Sequence, residues 1–131
     1  MKTITIKQGG MFPQSPHELY EIWLDSKKHA ALTGDEAEIS RKVKGLFFAF
    51  GGWATGVNME LVKDKKIVQT WRGDDWPEGV FSTITLKLLP AKGGTKLLFT
   101  QTGVPASKAK GVAQGWRDYY WTPLKKKANN K

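Results

Sequence analysis

The hydrophobic period of this chain changes three times, and the last change limits the fold most. After Gly34 the apolar residues recur at every second position; after Pro105 they recur at every third and fourth. Period two marks strands, and spacing of three and four marks one face of a helix. The period-two region predicts six strands, at 37–43, 46–50, 55–62, 66–72, 80–89 and 95–102. Turn residues separate them: Gly45, Gly51-Gly52, Lys63-Asp64-Lys65, Asp74-Asp75-Trp76-Pro77 and 90–94. Connections this short join antiparallel neighbours, because parallel pairing needs a crossover of about a dozen residues or more. A sheet with an apolar face requires a cover.

One segment is long enough to supply it. Ala109, Val112, Ala113, Trp116, Tyr119, Tyr120 and Pro123 form a broad apolar face, and Lys108, Lys110, Gln114, Arg117 and Asp118 fill much of the remainder. Pro123 conflicts with a continuous helix, since it lacks an N–H and its ring collides with the preceding turn. A kink or an end near Trp121 is expected.

At the other terminus, Ile4 and Ile6 alternate with Thr3, Thr5 and Lys7, a strand reaching about Phe12. Ser15-Pro16-His17-Glu18 then starts a short helix: Ser15 caps, Pro16 fits the first helical position and Glu18 completes a capping box. Asp25 or Ser26 opens a second short helix, which Gly34 stops. The expected fold is α+β: a curved antiparallel sheet of about seven strands wrapped on a long C-terminal helix, with two short helices after the first strand. A single domain over 1–131 is expected. For strand 80–89 the alternation separates two faces, Val80, Ser82, Ile84, Leu86 and Leu88 against Phe81, Thr83, Thr85, Lys87 and Leu89. Periodicity does not choose between them.

Composition narrows the function. With no Cys there is no disulfide, no thiolate metal site and no cysteine nucleophile. No apolar run approaches the roughly 20 residues of a membrane-spanning helix, and the alternating N-terminus is unlike a signal peptide, so a cytoplasmic location is expected. Gly51-Gly52 lacks the Lys-Ser/Thr ending of a phosphate loop. Asp74 and Asp75 are adjacent turn formers, whose side chains point apart. His17 and His29 fall in different helices without metal-ligand spacing. The expectation is a non-enzymatic protein with no catalytic residues, no metal and no cofactor.

The net charge is +9, which favours acidic partners. Seven bases (Lys108, Lys110, Arg117, Lys125, Lys126, Lys127 and Lys131) face one acid, Asp118, in the last 24 residues. Cations at a helix C-terminus suit its dipole. Nucleic acid is not expected as a partner: 18 of the 21 bases are Lys, Arg being preferred for bidentate reading, and no recognition motif is present.

Six Trp in 131 residues is dense. Core packing accounts for Trp23 and Trp116. Trp71 and Trp76 flank the loop Gly73-Asp74-Asp75, where large apolar surface must pack or bind something. A curved sheet on a helix commonly encloses a cavity. Its candidate lining is Phe48, Phe50, Met59, Trp71, Phe81, Phe99, Trp116 and Tyr120, with Arg72 and Trp76 at the mouth. For Arg72 there are two readings: an ion pair with Asp74, Asp75 or Glu78, or a contact to a ligand carboxylate.

Longer motifs carry a family resemblance. Ile67-Val68-Gln69-Thr70-Trp71-Arg72, Asp75-Trp76-Pro77-Glu78-Gly79, Ser82-Thr83-Ile84-Thr85-Leu86, Gly103-Val104-Pro105 and Gln114-Gly115-Trp116-Arg117-Asp118-Tyr119-Tyr120 follow in the order of the activator of heat-shock protein 90 ATPase, C-terminal-domain family. Phe12, Ser15-Pro16, Leu19-Tyr20 and Gly56-Val57-Asn58 extend the resemblance through the N-terminal half. It implies a helix-grip fold of the START-like, Bet v 1-like superfamily, whose members commonly enclose apolar ligands. It also implies a heat-shock protein 90-type chaperone as partner. In the eukaryotic activators this domain follows a separate N-terminal domain, which these 131 residues do not include. Two functions are expected on this footing: a co-chaperone that stimulates chaperone ATP turnover, or a stand-alone binding protein for a small apolar ligand under the last helix.

Overall fold

The computed structural model describes residues 1–127. Lys131 of the basic tail lies outside the described residues. Seven strands form one antiparallel sheet in the order β1-β7-β6-β5-β4-β3-β2. They are β1 Thr3–Phe12, β2 Glu38–Ile39, β3 Leu46–Ala49, β4 Ala54–Val62, β5 Lys66–Gly73, β6 Ser82–Ala91 and β7 Gly94–Pro105. Strands β2 to β7 pair in chain order, and β1 closes on β7. The curved sheet holds a helical C-terminal segment running from Ala109, as the hydrophobic period requires.

The short helices form where their caps place them. In α1, Pro16–Leu24, the Ser15 hydroxyl accepts from the Glu18 N–H at 3.1 Å, and the Glu18 carboxylate accepts from the Ser15 N–H at 2.9 Å. Such caps contribute about 1 kcal/mol. Asp25 caps α2, Ser26–Thr33, by accepting from the Lys28 N–H, and Gly34 closes it in the left-handed conformation.

Strand β2 is shorter than the expected 37–43, and the cause is Asn58. Its buried amide donates to the carbonyls of Ser40 and Lys42 at 2.7 and 3.0 Å. The Lys44 N–H donates to its carbonyl. A side chain that captures backbone carbonyls competes with ladder pairing, so 40–45 turns instead of pairing.

The irregularity expected near Trp121 takes the form of a π turn. Helix α3, Ala109–Trp116, passes through one π turn, Arg117–Trp121, into α4, Thr122–Lys127. The Thr122 N–H bonds to the Arg117 carbonyl, five residues back. That widened turn immediately precedes Pro123 and absorbs the crowding its ring would cause, so the helix neither ends nor breaks.

Burial along β6 decides its orientation. Ser82, Ile84, Leu86 and Leu88 face the helix, and Lys87 and Leu89 face away. A crosswise row of inward residues, Asn58, Gln69, Ile84 and Gln101, runs over β4, β5, β6 and β7. Its glutamines set the helices on the sheet. Trp23 donates its indole N–H to Gln69 at 3.0 Å, and Trp116 donates to Gln101 at 2.8 Å. On β1, Gln8 accepts from Trp121 at 2.7 Å and donates to the Ala113 carbonyl. The rings of Trp23, Trp116 and Trp121 lie 6.0–6.3 Å apart and nearly parallel. Each indole thus buries its area and satisfies its one donor.

Candidate functional site

The last helix leaves one flank unsealed. There, between helix and sheet, opens a cleft of about 330 Å³ lined by Asp35, Phe50, Trp53, Trp71, Val112, Gly115, Trp116, Tyr119 and Tyr120. Val112, Gly115, Trp116 and Tyr119 come from one helix face at spacings of three and four. Gly115 carries no Cβ, and one built there would meet nothing within 4 Å. The cleft therefore reaches the helix backbone.

The opposite wall is the turn after β3. Phe50 has φ 54°, the left-handed region, which a large side chain rarely adopts. The turn presents Phe50 edge-on to Tyr119 at 5.3 Å. Trp53 follows and lies over Gly73, where a Cβ would come within 2.7 Å of its ring. Trp53 meets Trp71 at 5.7 Å, and Trp71 meets Trp76 at 5.5 Å, both edge to face. Tyr119, Phe50, Trp53, Trp71 and Trp76 thus form a continuous aromatic chain.

Behind Tyr120 sits a buried polar pair. His29 Nδ1 lies 2.9 Å from the Trp23 carbonyl, and Nε2 lies 2.7 Å from the Tyr120 hydroxyl. A carbonyl only accepts, so Nδ1 carries the proton, and Nε2 of the neutral ring accepts from Tyr120. Burial holds His29 below the ordinary imidazole value, against the weaker raising effect of the Trp23 carbonyl. Burial pushes the Tyr120 phenol up. With both nitrogens engaged, the imidazole serves as a strut.

Of the eight residues expected to line a cavity, Phe50, Trp71, Trp116 and Tyr120 meet in this cleft. Phe99 is buried, 4.7 Å from Trp116 and 5.2 Å from Trp121, and fills the core. Phe48 and Phe81 lie on the outer face of the sheet, in an open groove with Leu46 and Val57. In β3 the inward positions belong to Phe47 and Ala49. At the start of β6, the inward position belongs to Ser82, whose hydroxyl donates to the Trp71 carbonyl and accepts from Gln101. Met59 is 53% exposed, beside a bulge between Asn58 and Glu60.

The two mouth residues also differ from expectation. Trp76 is buried behind Trp71. Arg72 makes no ion pair with Asp74, Asp75 or Glu78 among the described residues. It donates to the carbonyls of Trp76, Pro77 and Val80 at 2.7, 3.3 and 3.3 Å, and its guanidinium lies 5.8 Å from the centre of the Phe81 ring. It ties the 76–80 loop to the outer face. Asp75 pairs instead with Lys108 at 3.0 Å, whose hydrogen bond lowers its carboxyl.

Asp35, Trp53, Val112, Gly115 and Tyr119 complete the lining. The helix residues carry a readable signal, the spacing they share with Trp116. So does Trp53, a large ring directly after a Gly-Gly turn. Asp35 carries none. Among the described residues no group of three His, Asp or Glu could hold a metal ion. No helix there is long and apolar enough to cross a membrane.

The model of the family described as "Activator of Hsp90 ATPase homolog 1-like protein" matches residues 13–128. The human protein named "Activator of 90 kDa heat shock protein ATPase homolog 1" is 36% identical over 122 residues, covering 93% of this chain and 36% of the human one. The Saccharomyces cerevisiae "Hsp90 co-chaperone AHA1" is 30% identical, covering 82% of this chain and 33% of its own. The chain thus spans about a third of the length of these curated relatives. A crystal structure described as an HSP90 activator from Plasmodium falciparum superposes with a TM-score of 0.86 at 27% identity, covering 91% of both chains. The solution structure of "the Aha1 dimer" from Colwellia psychrerythraea superposes at 0.77 with 18% identity, covering 96% of this chain and 95% of that one, a likeness of fold.

Proposed function

This chain belongs to the Activator of Hsp90 ATPase homolog 1-like family, and on that premise we propose that it is a non-enzymatic cytoplasmic co-chaperone, which binds an Hsp90-type chaperone and raises its ATP turnover. The observation that carries this reading is the extent of the likeness: 93% of the chain aligns with a protein named as such an activator. One physical feature supports it: the net charge of +9 suits encounter with an acidic partner surface. The test is to add the purified protein to a purified Hsp90-type chaperone and measure ATP hydrolysis. Stimulation is expected, together with a complex that weakens as salt screens the charges. No stimulation and no complex at low salt overturns the proposal.

The open cleft favours a second reading, the binding of a small molecule with an apolar part. Its volume of about 330 Å³ falls in the range of ligand sites, roughly 300–1,000 Å³. Titrating the protein with a neutral aromatic compound while following the Trp53 and Gly115 amide resonances tests this directly. Unmoved resonances up to the solubility limit, with this compound and with a cationic and an anionic analogue of it, overturn the reading.

A further inference from the structure

We propose that the cleft selects an organic ammonium cation carrying an apolar arm, with Asp35 as its counter-ion. This deepens the small-molecule reading above and rests on it.

Three observations converge. The first is the wall chemistry. Phe50, Trp53, Trp71 and Tyr119 present rings from three separate elements of the chain around one space. Ring faces carry negative electrostatic potential, and an assembly of several rings is the arrangement that recognises quaternary ammonium groups. Trp53 and Tyr119 are 40% and 49% exposed, so the rings are reachable from solvent.

The second is charge. Asp35 is the one charged residue of the lining. Its carboxylate accepts from the Glu36 N–H at 2.8 Å and has no ion pair among the described residues. The segment Asp35-Glu36-Ala37-Glu38 holds three of the chain's 12 acids and no base. In a protein of net charge +9, the cleft thus lies beside a local acidic stretch. Arg72, the cation that would suit an anionic ligand, is engaged with the 76–80 loop on the outer face. A carboxylate ligand would meet Asp35 with no compensating base in the lining.

The third is backbone geometry. Phe50 keeps a positive φ that its side chain disfavours. This conformation places the ring against Tyr119 across the cleft instead of burying it in the sheet.

Two probes of the same shape separate the alternatives: phenyltrimethylammonium and its uncharged carbon isostere, tert-butylbenzene. Calorimetry and amide chemical shifts follow both. The cation is expected to bind at least about tenfold more tightly than the isostere, the order that one cation–π contact and one exposed counter-ion supply. Asp35→Asn keeps a carboxamide oxygen for the Glu36 N–H and removes only the charge. It should weaken the cation several-fold and leave the isostere unchanged. Gly115→Leu, which extends a side chain into the open space of the cleft, should abolish both. Equal affinity for the two probes overturns the cation inference and leaves the small-molecule reading standing. Binding of neither overturns both. A cation preference undiminished by Asp35→Asn, or cation binding that survives Gly115→Leu, overturns the site as assigned.

Discussion

The two flanks of the last helix meet the sheet in different ways. Toward β1 and β7 the helix is pinned. Trp121 and Trp116 each end in a glutamine, Gln8 holds the Ala113 carbonyl, and Phe99 fills the space beneath the two indoles. Toward Phe50 and Trp53 the sheet offers no such lock, and among the described residues only His29 of α2 holds the helix there, through the Tyr120 hydroxyl. The contacts are ring edges, the backbone of Phe50 sits at positive φ, and Gly115 leaves a gap where a side chain belongs. One flank thus makes the grip, and the other is free to receive something. If so, equal truncations on the two flanks must have unequal consequences.

The largest contrast is between two rings. Phe99→Ala should cost about 3–5 kcal/mol, because it opens a cavity under two tryptophans that hydrogen bonds hold in place. Tyr119→Ala, on the open flank, should cost less than about 1 kcal/mol, as exposed positions do. Urea unfolding followed by circular dichroism measures both. Similar losses would erase the distinction.

A smaller effect tests the pins themselves. Gln101→Leu keeps comparable bulk but strands the buried Trp116 indole N–H and removes a donor from Ser82. An unsatisfied buried donor costs about 1–3 kcal/mol. Combining Gln101→Leu with Trp116→Phe removes donor and acceptor together, and the two losses should then add to less than their sum, a coupling that a double-mutant cycle detects.

His29 stands behind the open flank, and its effect depends on pH. Burial lowers its folded value, so the unfolded chain, with an ordinary value near 6.5, takes up the proton first. The unfolded state therefore binds more protons as pH falls through 6.5, and stability falls with it, by at most about 1.4 kcal/mol per pH unit. Above the ordinary value the contribution is fully present. Denaturation midpoints at pH 7.5 and 5.0 should separate in the wild type and draw together in His29→Phe.

How much of this was legible in the residues follows the same division. The element order, the capped short helices and the inward turn of Trp116 and Tyr120 come from spacing, which the backbone period enforces. The pins were hidden, because a glutamine on a strand reads as a solvent-facing residue; only the indoles opposite Gln8, Gln69 and Gln101 reveal them. Strand phase misled where two large residues adjoin or a small polar one takes the inward place, as at Phe47-Phe48 and Phe81-Ser82. Arg72 misled because its partners are backbone carbonyls, which carry no residue signature. Asp35 carries no signal in the sequence because its position in the cleft depends on how the 34–38 segment meets the Phe50 turn, through Gly51 N–H to Glu36 carbonyl, a contact of tertiary structure alone.

The smallest effect is the sharpest on the open flank. Gly115 occupies a helix interior, where glycine is less favourable than alanine by about 0.5–1 kcal/mol. A tightly packed flank would make glycine necessary there, and any Cβ would clash. The Cβ built at Gly115 meets no atom within 4 Å, so the helical gain comes without steric loss. Gly115→Ala should therefore raise the denaturation midpoint by an amount equivalent to about 0.5–1 kcal/mol, with an unchanged m-value. Gly9, on the pinned flank, gives the opposite sign. A Cβ there would fall within 2.1 Å of the Leu97 carbonyl oxygen, and its φ of 135° is poorly tolerated by side chains. Gly9→Ala should destabilise, and loss of stability in Gly115→Ala as well would mean that the two flanks are packed alike.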